Sequence, residues 1–376
     1  MNENSKNITL RLINAVKNQQ SDNSPDTMIE AARSYTDPSL WLKEQQQFFI
    51  DTPQLVGFAG EIESPGSFIT ATVMNTPVVI TRAEDGILRA FINACAHRGA
   101  RVAEGCGTRK RLNCMFHGWS YGLDGKLAGR PKNECFASDN AQTNLIALPV
   151  SDNHGLLVVG CHPGVSQAQV DTFLDPLAPA LQDFNFRAMR SIETRKLDVN
   201  AHWKLVVNLS HESYHFSVLH RDSLSPFMTD HFVMDSYGIH TRWAFPMKGI
   251  EQLADKPENE WPRHLPGIIN HTLFPGTLLI ANPQDAQIIR AEPGKTIDSS
   301  VVYYTGAYYN EDGFDEEKRI EAKKAYDFGG DIFASEDLAA AEQCQQALNA
   351  GLSQMIFGKN EPVLQYWHNL WKQQLR

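Results

Sequence analysis

Two short segments concentrate the residues best suited to bind metal. Cys95-Ala96-His97-Arg98-Gly99 sets a thiol two residues before an imidazole, and Cys114-Met115-Phe116-His117-Gly118 sets one three residues before. Sixteen residues separate His97 from Cys114. Two thiolates and two imidazoles suit a tetrahedral structural zinc site. They also suit a [2Fe–2S] cluster in which two Cys hold one iron and two His hold the other. Zinc knuckles pair like ligands on each short loop, whereas here each loop offers one Cys and one His. Two such loops can pinch a two-iron rhomb from opposite sides, and Gly99 and Gly118 let the backbone come close to the sulfides. The spacing therefore favours the cluster over zinc. Cys106, Cys135, Cys161 and Cys344 fit no ligand spacing and are expected to be buried, reduced fillers.

A second constellation lies downstream. Residues 202–220 contain His202, His211, His215 and His220, and Trp203–Tyr214 suits a helix. His215 and His220 would sit about 140° apart on an ideal helix. They can share one metal only if the helix ends or loosens near Phe216-Ser217-Val218. Two His and one carboxylate on one face of an iron leave positions open for O2. The carboxylate expected is Asp337, with Glu336 beside it as the rival. Ser335 reads as the N-cap of a helix running to Leu352, which puts Asp337 in its first turn.

These sites need elements to hold them. Val78–Thr81 and Leu88–Ile92 are apolar β-branched runs joined around Asp85-Gly86, a hairpin signal, and Trp119–Leu123 leads into a second at Asp124-Gly125. Arg195–Val199, Leu278–Ala281, Gln287–Ala291 and Ser299–Tyr309 read as antiparallel strands, followed by helices at Asp315–Tyr326 and Ser335–Leu352. Strands followed by a long helix packed on them indicate an α+β fold. The expected division is an N-terminal helical and linker segment at 1–50, an all-β domain at 51–165 and a catalytic domain at 166–376. Met247–Pro266 is polar with three Pro and reads as a surface loop or an active-site lid.

Arg89–Gly99 (RAFINACAHRG) and Cys114–Gly125 (CMFHGWSYGLDG) resemble the Rieske domain of the ring-hydroxylating and related Rieske non-haem iron oxygenases. The second segment resembles the same family: Trp203-Lys204, Asn208, Glu212-x-Tyr214-His215 and His220, with Asp337 and Glu342 late in the chain. The resemblance spans roughly residues 50–225 and 330–350. It implies a Rieske cluster on Cys95, His97, Cys114 and His117, and a mononuclear Fe(II) on His215, His220 and Asp337. It further implies catalytic roles for Asn208 and for Glu212, the latter an electron bridge that bonds His215 and faces His117 of the next subunit in a homotrimer. The catalytic sheet would grip a long C-terminal helix. The family's chemistry is hydroxylation, oxidative demethylation or cis-dihydroxylation, and its ring-hydroxylating members serve aromatic hydrocarbon catabolism. Two departures stand out. The family's leading Asn is His202 here, and Glu212 replaces the Asp of many ring dioxygenases, which favours monooxygenation. Leu209, Phe216 and Phe333 flank the ligands by offset and are the expected pocket residues. Arg242 or Arg290 would serve a substrate carboxylate, with surface placement the simpler reading.

Composition bounds the remainder. The chain has 376 residues and a formal charge of −10, which argues against a nucleic-acid binder. No run of about 18 apolar residues predicts a membrane helix, and the N-terminus lacks signal-peptide character, so a cytoplasmic location is expected. No Gly-x-Gly-x-x-Gly unit follows a strand, so electrons would come from a separate reductase; the resemblance implies a flavin and iron–sulfur reductase, with a ferredoxin as a further candidate carrier. Two other classes stay open at this point: a Rieske electron-transfer protein without oxygenation, and a zinc-stabilised binding protein.

Overall fold

Asp85-Gly86 does turn the chain between two antiparallel strands, Thr76–Arg82 and Leu88–Ile92. The computed structural model describes residues 3–136, 143–262, 264–282, 284–310 and 315–375. The chain forms two compact units. One comprises residues 46–175 and 185–190, the other residues 1–45, 176–184 and 191–376.

The first unit is built from small antiparallel sheets. A five-stranded sheet contains the hairpin above, and a three-stranded sheet joins Arg111–Asn113, Ser120–Gly122 and Leu127–Gly129. One Cys/His segment leaves Leu88–Ile92, and the other links Arg111–Asn113 to Ser120–Gly122. Both ligand segments are thus loops leaving strands, the second between a directly paired couple, over a core of Phe68, Val79, Phe91, Leu112, Trp119 and Tyr121.

The second unit centres on a seven-stranded antiparallel sheet. Its six strands from Val233–Tyr237 to Ser300–Tyr309 form a meander in sequence order, and Met189–Val199 pairs at the edge beside Ser300–Tyr309. On one face, Ala244 and Ile269 meet Ile8, Leu12 and Ile13 of the N-terminal helix Glu3–Asn18. That helix therefore packs into the core of the second unit instead of standing apart as a leading segment. The segment Met247–Pro266 is not a free lid, as far as its described residues go. Its 3₁₀ turn Ile250–Asp255 sets Ile250 and Leu253 three apart, on one side, against the same helix.

The opposite face carries the long helix that the fold class calls for. Glu316–Ile332 runs without a break through Phe333–Asp337 into Leu338–Asn349. Tyr326 stacks on Tyr304 of the sheet at 4.9 Å. A Cβ on Gly306 would lie 2.3 Å from the Tyr326 ring, so only glycine permits this approach. Ser335 is not an N-cap: its hydroxyl donates to the Asp331 carbonyl one turn back, at 2.6 Å. In mid-helix a serine satisfies itself this way.

Trp203-Lys204 locks the N-terminal residues down. Lys204 is fully buried, and its ammonium donates to Glu44 Oε1 at 2.7 Å and to the Ser34 carbonyl at 2.5 Å, 3.7 Å from the centre of the Trp371 ring. Trp203 Nε1 donates to the other Glu44 oxygen at 2.9 Å. Removing one member of a buried pair strands the other charge. Lys204→Met is expected to lower unfolding stability by about 3–5 kcal/mol, read by denaturant titration. A loss below about 1 kcal/mol, the scale of an exposed pair, would contradict this reading.

Other expectations change where packing is long-range. Among the cysteines outside the ligand loops only Cys161 is buried; Cys106, Cys135 and Cys344 are exposed. Arg242 and Arg290 are buried rather than on the surface, Arg242 against Asp235 at 2.8 Å and Arg290 against Glu292. Both carboxylates consume the charge that a substrate would need.

Candidate metal centres

The two Cys/His loops close alike despite their different His spacing. Gly99 N donates to the Cys95 carbonyl at 2.8 Å, and Gly118 N to the Cys114 carbonyl at 3.0 Å. Both glycines lie in the left-handed region, with φ of +77° and +72°, which other residues enter only at a cost. Each loop therefore closes over five residues, from Cys to Gly, and holds its thiol buried.

Cys95 and Cys114 are both 3% exposed. Burial pushes the Cys95 thiol up; the Tyr121 hydroxyl opposes this, and the neighbouring Cys114 adds to it. His97 stacks on Trp119 with centroids 5.1 Å apart, and the His97 and His117 rings are 4.7 Å apart. Phe136 meets His97 and Trp119 edge-on, and Arg130 covers Phe136 and Trp119. His97 Nδ1 is buried without a partner. A paired set of buried thiols beside an imidazole lone pair with nothing to bind is what a two-iron cluster would satisfy, so the donor set fits.

Tyr121 was not singled out by the sequence. Its oxygen accepts from Ala96 N at 3.0 Å and lies 3.2 Å from Cys95 Sγ, so its own proton is directed at the sulfur. Hydrogen bonds to ligand sulfur raise a cluster's potential. Tyr121→Phe is expected to leave the cluster assembled but to lower its potential by about 50 mV, the one-electron equivalent of one such bond. An EPR-monitored redox titration reads this, and an unchanged midpoint would remove Tyr121 from the tuning set.

In the other unit the helix ends earlier than expected, at Leu209, and residues 210–227 continue as turns. That break lets His215 and His220 face each other despite their awkward helical spacing. Their Nε2 atoms are 3.2 Å apart, and Asp337 Oδ1 lies 3.5 Å from one and 3.3 Å from the other. These three are the residues, among those described, whose ligand atoms cluster within 4.8 Å. Each ring's other nitrogen is occupied: His215 Nδ1 bonds Glu212, and His220 Nδ1 bonds Glu336 Oε2 at 2.6 Å. A carboxylate on Nδ1 fixes the tautomer and leaves Nε2 as a lone pair. Two lone pairs and a carboxylate oxygen then converge with no proton to share. A cation resolves that conflict, and cis ligands about 2.1 Å from a metal lie about 3 Å apart. His220 is held above the usual imidazole range: burial alone would lower it, but Asp337 and Glu336 outweigh burial.

Glu336 and Asp337 are adjacent yet reach opposite sides of the same imidazole. The helix manages this by widening to a π-turn at Phe333–Asp337, with Leu338 N bonding the Phe333 carbonyl. Such bulges re-aim side chains inside long helices. Asp337 is therefore mid-helix, not in a first turn.

The remaining expected residues scatter around this centre. Phe216 packs on the His220 ring at 5.5 Å and on Phe245 at 5.0 Å. Phe333 lies parallel to Tyr304 at 6.1 Å, and Leu209 is half-buried. Asn208, expected to be catalytic, donates to the Tyr35 hydroxyl at 2.9 Å and bonds His368 Nε2 through Oδ1 at 3.0 Å. His202 and His211 are buried, and burial lowers the His211 pKa to about 4, so it is neutral. Glu342 bonds Asn200 and caps the strand end.

Comparison with known proteins completes the description. The family model "Ring hydroxylating alpha subunit (catalytic domain)" matches residues 186–376, and "Rieske [2Fe-2S] domain" matches residues 52–148. The carnitine monooxygenase oxygenase subunit of Escherichia coli K12 is 25% identical over 342 residues, covering 85% of this chain and 84% of that protein. The glycine betaine monooxygenase oxygenase subunit of Chromohalobacter salexigens is 29% identical over 194 residues, 51% of this chain and 43% of that one. The solved structure of the quaternary ammonium Rieske monooxygenase CntA with L-carnitine superposes with a TM-score of 0.76 at 21% identity, covering 94% and 97% of the two chains. The expected link to aromatic hydrocarbon catabolism is not supported, since these relatives are named for quaternary ammonium compounds. No helix among the described residues is long and apolar enough to cross a membrane.

Proposed function

Because the chain belongs to the ring-hydroxylating alpha-subunit family of Rieske non-haem iron oxygenases, we propose that it is the oxygenase component that monooxygenates a small methylated ammonium compound. Electrons would come from a separate reductase. The observation that carries this reading is the convergence of His215 Nε2, His220 Nε2 and Asp337 Oδ1 beside an aromatic cluster.

Cys95, Cys114, His97 and His117 would hold the cluster, and His215, His220 and Asp337 the mononuclear iron. When bound, these groups supply electron storage and O2 activation. The chain's own residues do the rest. Glu212 and Glu336 hold the two imidazoles in the tautomer that exposes Nε2. Phe216, Phe245, Trp243 and Phe232 form a water-excluding aromatic wall next to His220. Aromatic faces attract a quaternary ammonium without needing a carboxylate partner. In the net reaction a methyl C–H bond becomes C–OH, and the second oxygen leaves as water with two electrons and two protons from outside.

Delivery across a subunit boundary is part of the proposal. His117, Met115 and Phe116 are exposed on the cluster loop, and Tyr214 is exposed beside Glu212. Apolar surface at both places suits a packed interface between copies of the chain, as in a trimer.

The test is metal content plus O2 uptake. Three irons per chain are expected, two in the cluster and one mononuclear, with a reduced-cluster EPR signal and trimethylammonium-dependent O2 uptake with a surrogate reductase. Two irons without uptake would make it an electron carrier, and a colourless zinc protein would end the reading altogether.

A further inference from the structure

Four buried polar atoms lie on the sheet face that backs the aromatic wall, and none has a partner. They are Thr241 Oγ1, Trp243 Nε1, Asn270 Oδ1 and Thr272 Oγ1, on residues that are 2–3% exposed. Register sets them side by side: Trp243 pairs with Asn270, and Thr241 with Thr272. Alternation of side chains puts Thr241, Trp243 and Phe245 on one face, with Ile268, Asn270 and Thr272 opposite them. Contacts fix which face this is. Phe245 and Trp243 pack with Phe216, whereas Ala244 and Ile269 pack on the N-terminal helix. The path from the candidate iron ligands is short: His220 touches Phe216, Phe216 touches Phe245, and Phe245 touches Trp243. At the far end, Thr272 registers with Leu278, which lines a small cavity with His211, Val207 and Ile289.

Unpaired buried polar atoms are costly unless something bonds them. The row demands a specific complement. Trp243 Nε1 only donates, and Asn270 Oδ1 only accepts. A hydroxyl answers both at once. A carboxylate answers Trp243 and the threonine hydroxyls but turns lone pairs toward Asn270 Oδ1. Nor do the described residues of the strands beside the row offer it a cation. On the strands His240–Pro246, Gly267–Leu273 and Thr277–Ala281 the one guanidinium, Arg242, points to the other face and is paired with Asp235. A desolvated carboxylate without such a partner is disfavoured.

We propose that Thr241, Trp243, Asn270 and Thr272 form the polar wall of the substrate pocket and select a methylated ammonium compound bearing a hydroxyl over one bearing a carboxylate. This deepens the proposed function and rests on its ammonium reading.

The test titrates the iron-loaded enzyme calorimetrically with three probes: choline, glycine betaine, and ethyltrimethylammonium, which is choline without its hydroxyl. Choline is expected to bind at least about tenfold tighter than either of the others. Asn270→Leu should weaken choline about tenfold while ethyltrimethylammonium binds as before; Trp243→Phe keeps an aromatic face but loses the N–H, so it should weaken choline more than ethyltrimethylammonium, and it serves if the leucine variant does not fold. Glycine betaine binding as tightly as choline overturns the proposal, and so does equal weakening of all three probes by both variants. If no probe binds, the ammonium reading itself fails and takes the polar wall with it, whereas the first two outcomes leave that reading standing.

Discussion

Replacing Glu212 with Gln is expected to slow oxidation of the pre-reduced cluster by O2 and substrate about 100-fold or more, while both metal sites stay loaded. The geometry explains the split. Glu212 Oε1 bonds His215 Nδ1, and Oε2 accepts from the His215 backbone N–H at 3.1 Å. Gln keeps an acceptor for the imidazole, so His215 holds its orientation, and any loss of iron affinity of the kind expected for an orienting carboxylate is made good by assaying in excess Fe(II). What disappears is the charge and one acceptor, at a residue only 8% exposed. That negative charge is felt nearby: burial raises the Glu361 carboxyl, and Glu212 raises it further. If Glu212 links His117 of a neighbouring copy to His215, a neutral amide interrupts both the proton inventory and the coupling. Stopped-flow absorbance of the cluster in a single turnover reads the rate, and iron quantitation reads the loading. An unchanged rate would sink the bridge, and lost iron would assign Glu212 to ligand support alone.

Much of the first centre was legible because it is local. A Cys-x-His and a Cys-x-x-His loop each close over five residues, ending on a glycine, and hairpin signals at Asp85-Gly86 and Asp124-Gly125 frame them. The second centre was legible in its members and not in its mechanics. His215 and His220 can be named from spacing, but the end of the helix at Leu209 depends on packing around residues 210–227. Ser335 reads as a cap because its local sequence allows one; the helix continues because Tyr326 and Phe333 before it pack on the sheet and Leu338 and Ala341 after it are buried. Arg242 and Arg290 look like surface charges until the partners Asp235 and Glu292 are brought to them. The polar row escaped for the same reason. Alternation predicts two faces for Thr241–Phe245 and Ile268–Thr272, but nothing local says which face is sealed or that its polar atoms go unpaired.

Asp337→Ala is expected to abolish turnover and to reduce iron from three to two per chain, leaving the cluster spectrum intact. Glu336→Gln provides the contrast, because the sequence alone could not choose between these neighbours. Asp337 Oδ1 lies on the lone-pair side of both imidazoles, whereas Glu336 Oε2 lies behind His220 and also accepts from the Ser223 hydroxyl at 2.9 Å. A ligand and an orienting carboxylate fail differently. Loss of Asp337 removes a donor atom from the centre, and excess Fe(II) should not restore activity. Loss of the Glu336 charge loosens His220 but leaves all three donors, so iron affinity should fall about 10–100-fold and recover at high Fe(II). The π-turn makes the distinction possible, since a regular helix would swing adjacent side chains about 100° apart and only one would reach His220. Should Glu336→Gln lose its iron irreversibly while Asp337→Ala recovers at high Fe(II), the assignments of ligand and support would exchange.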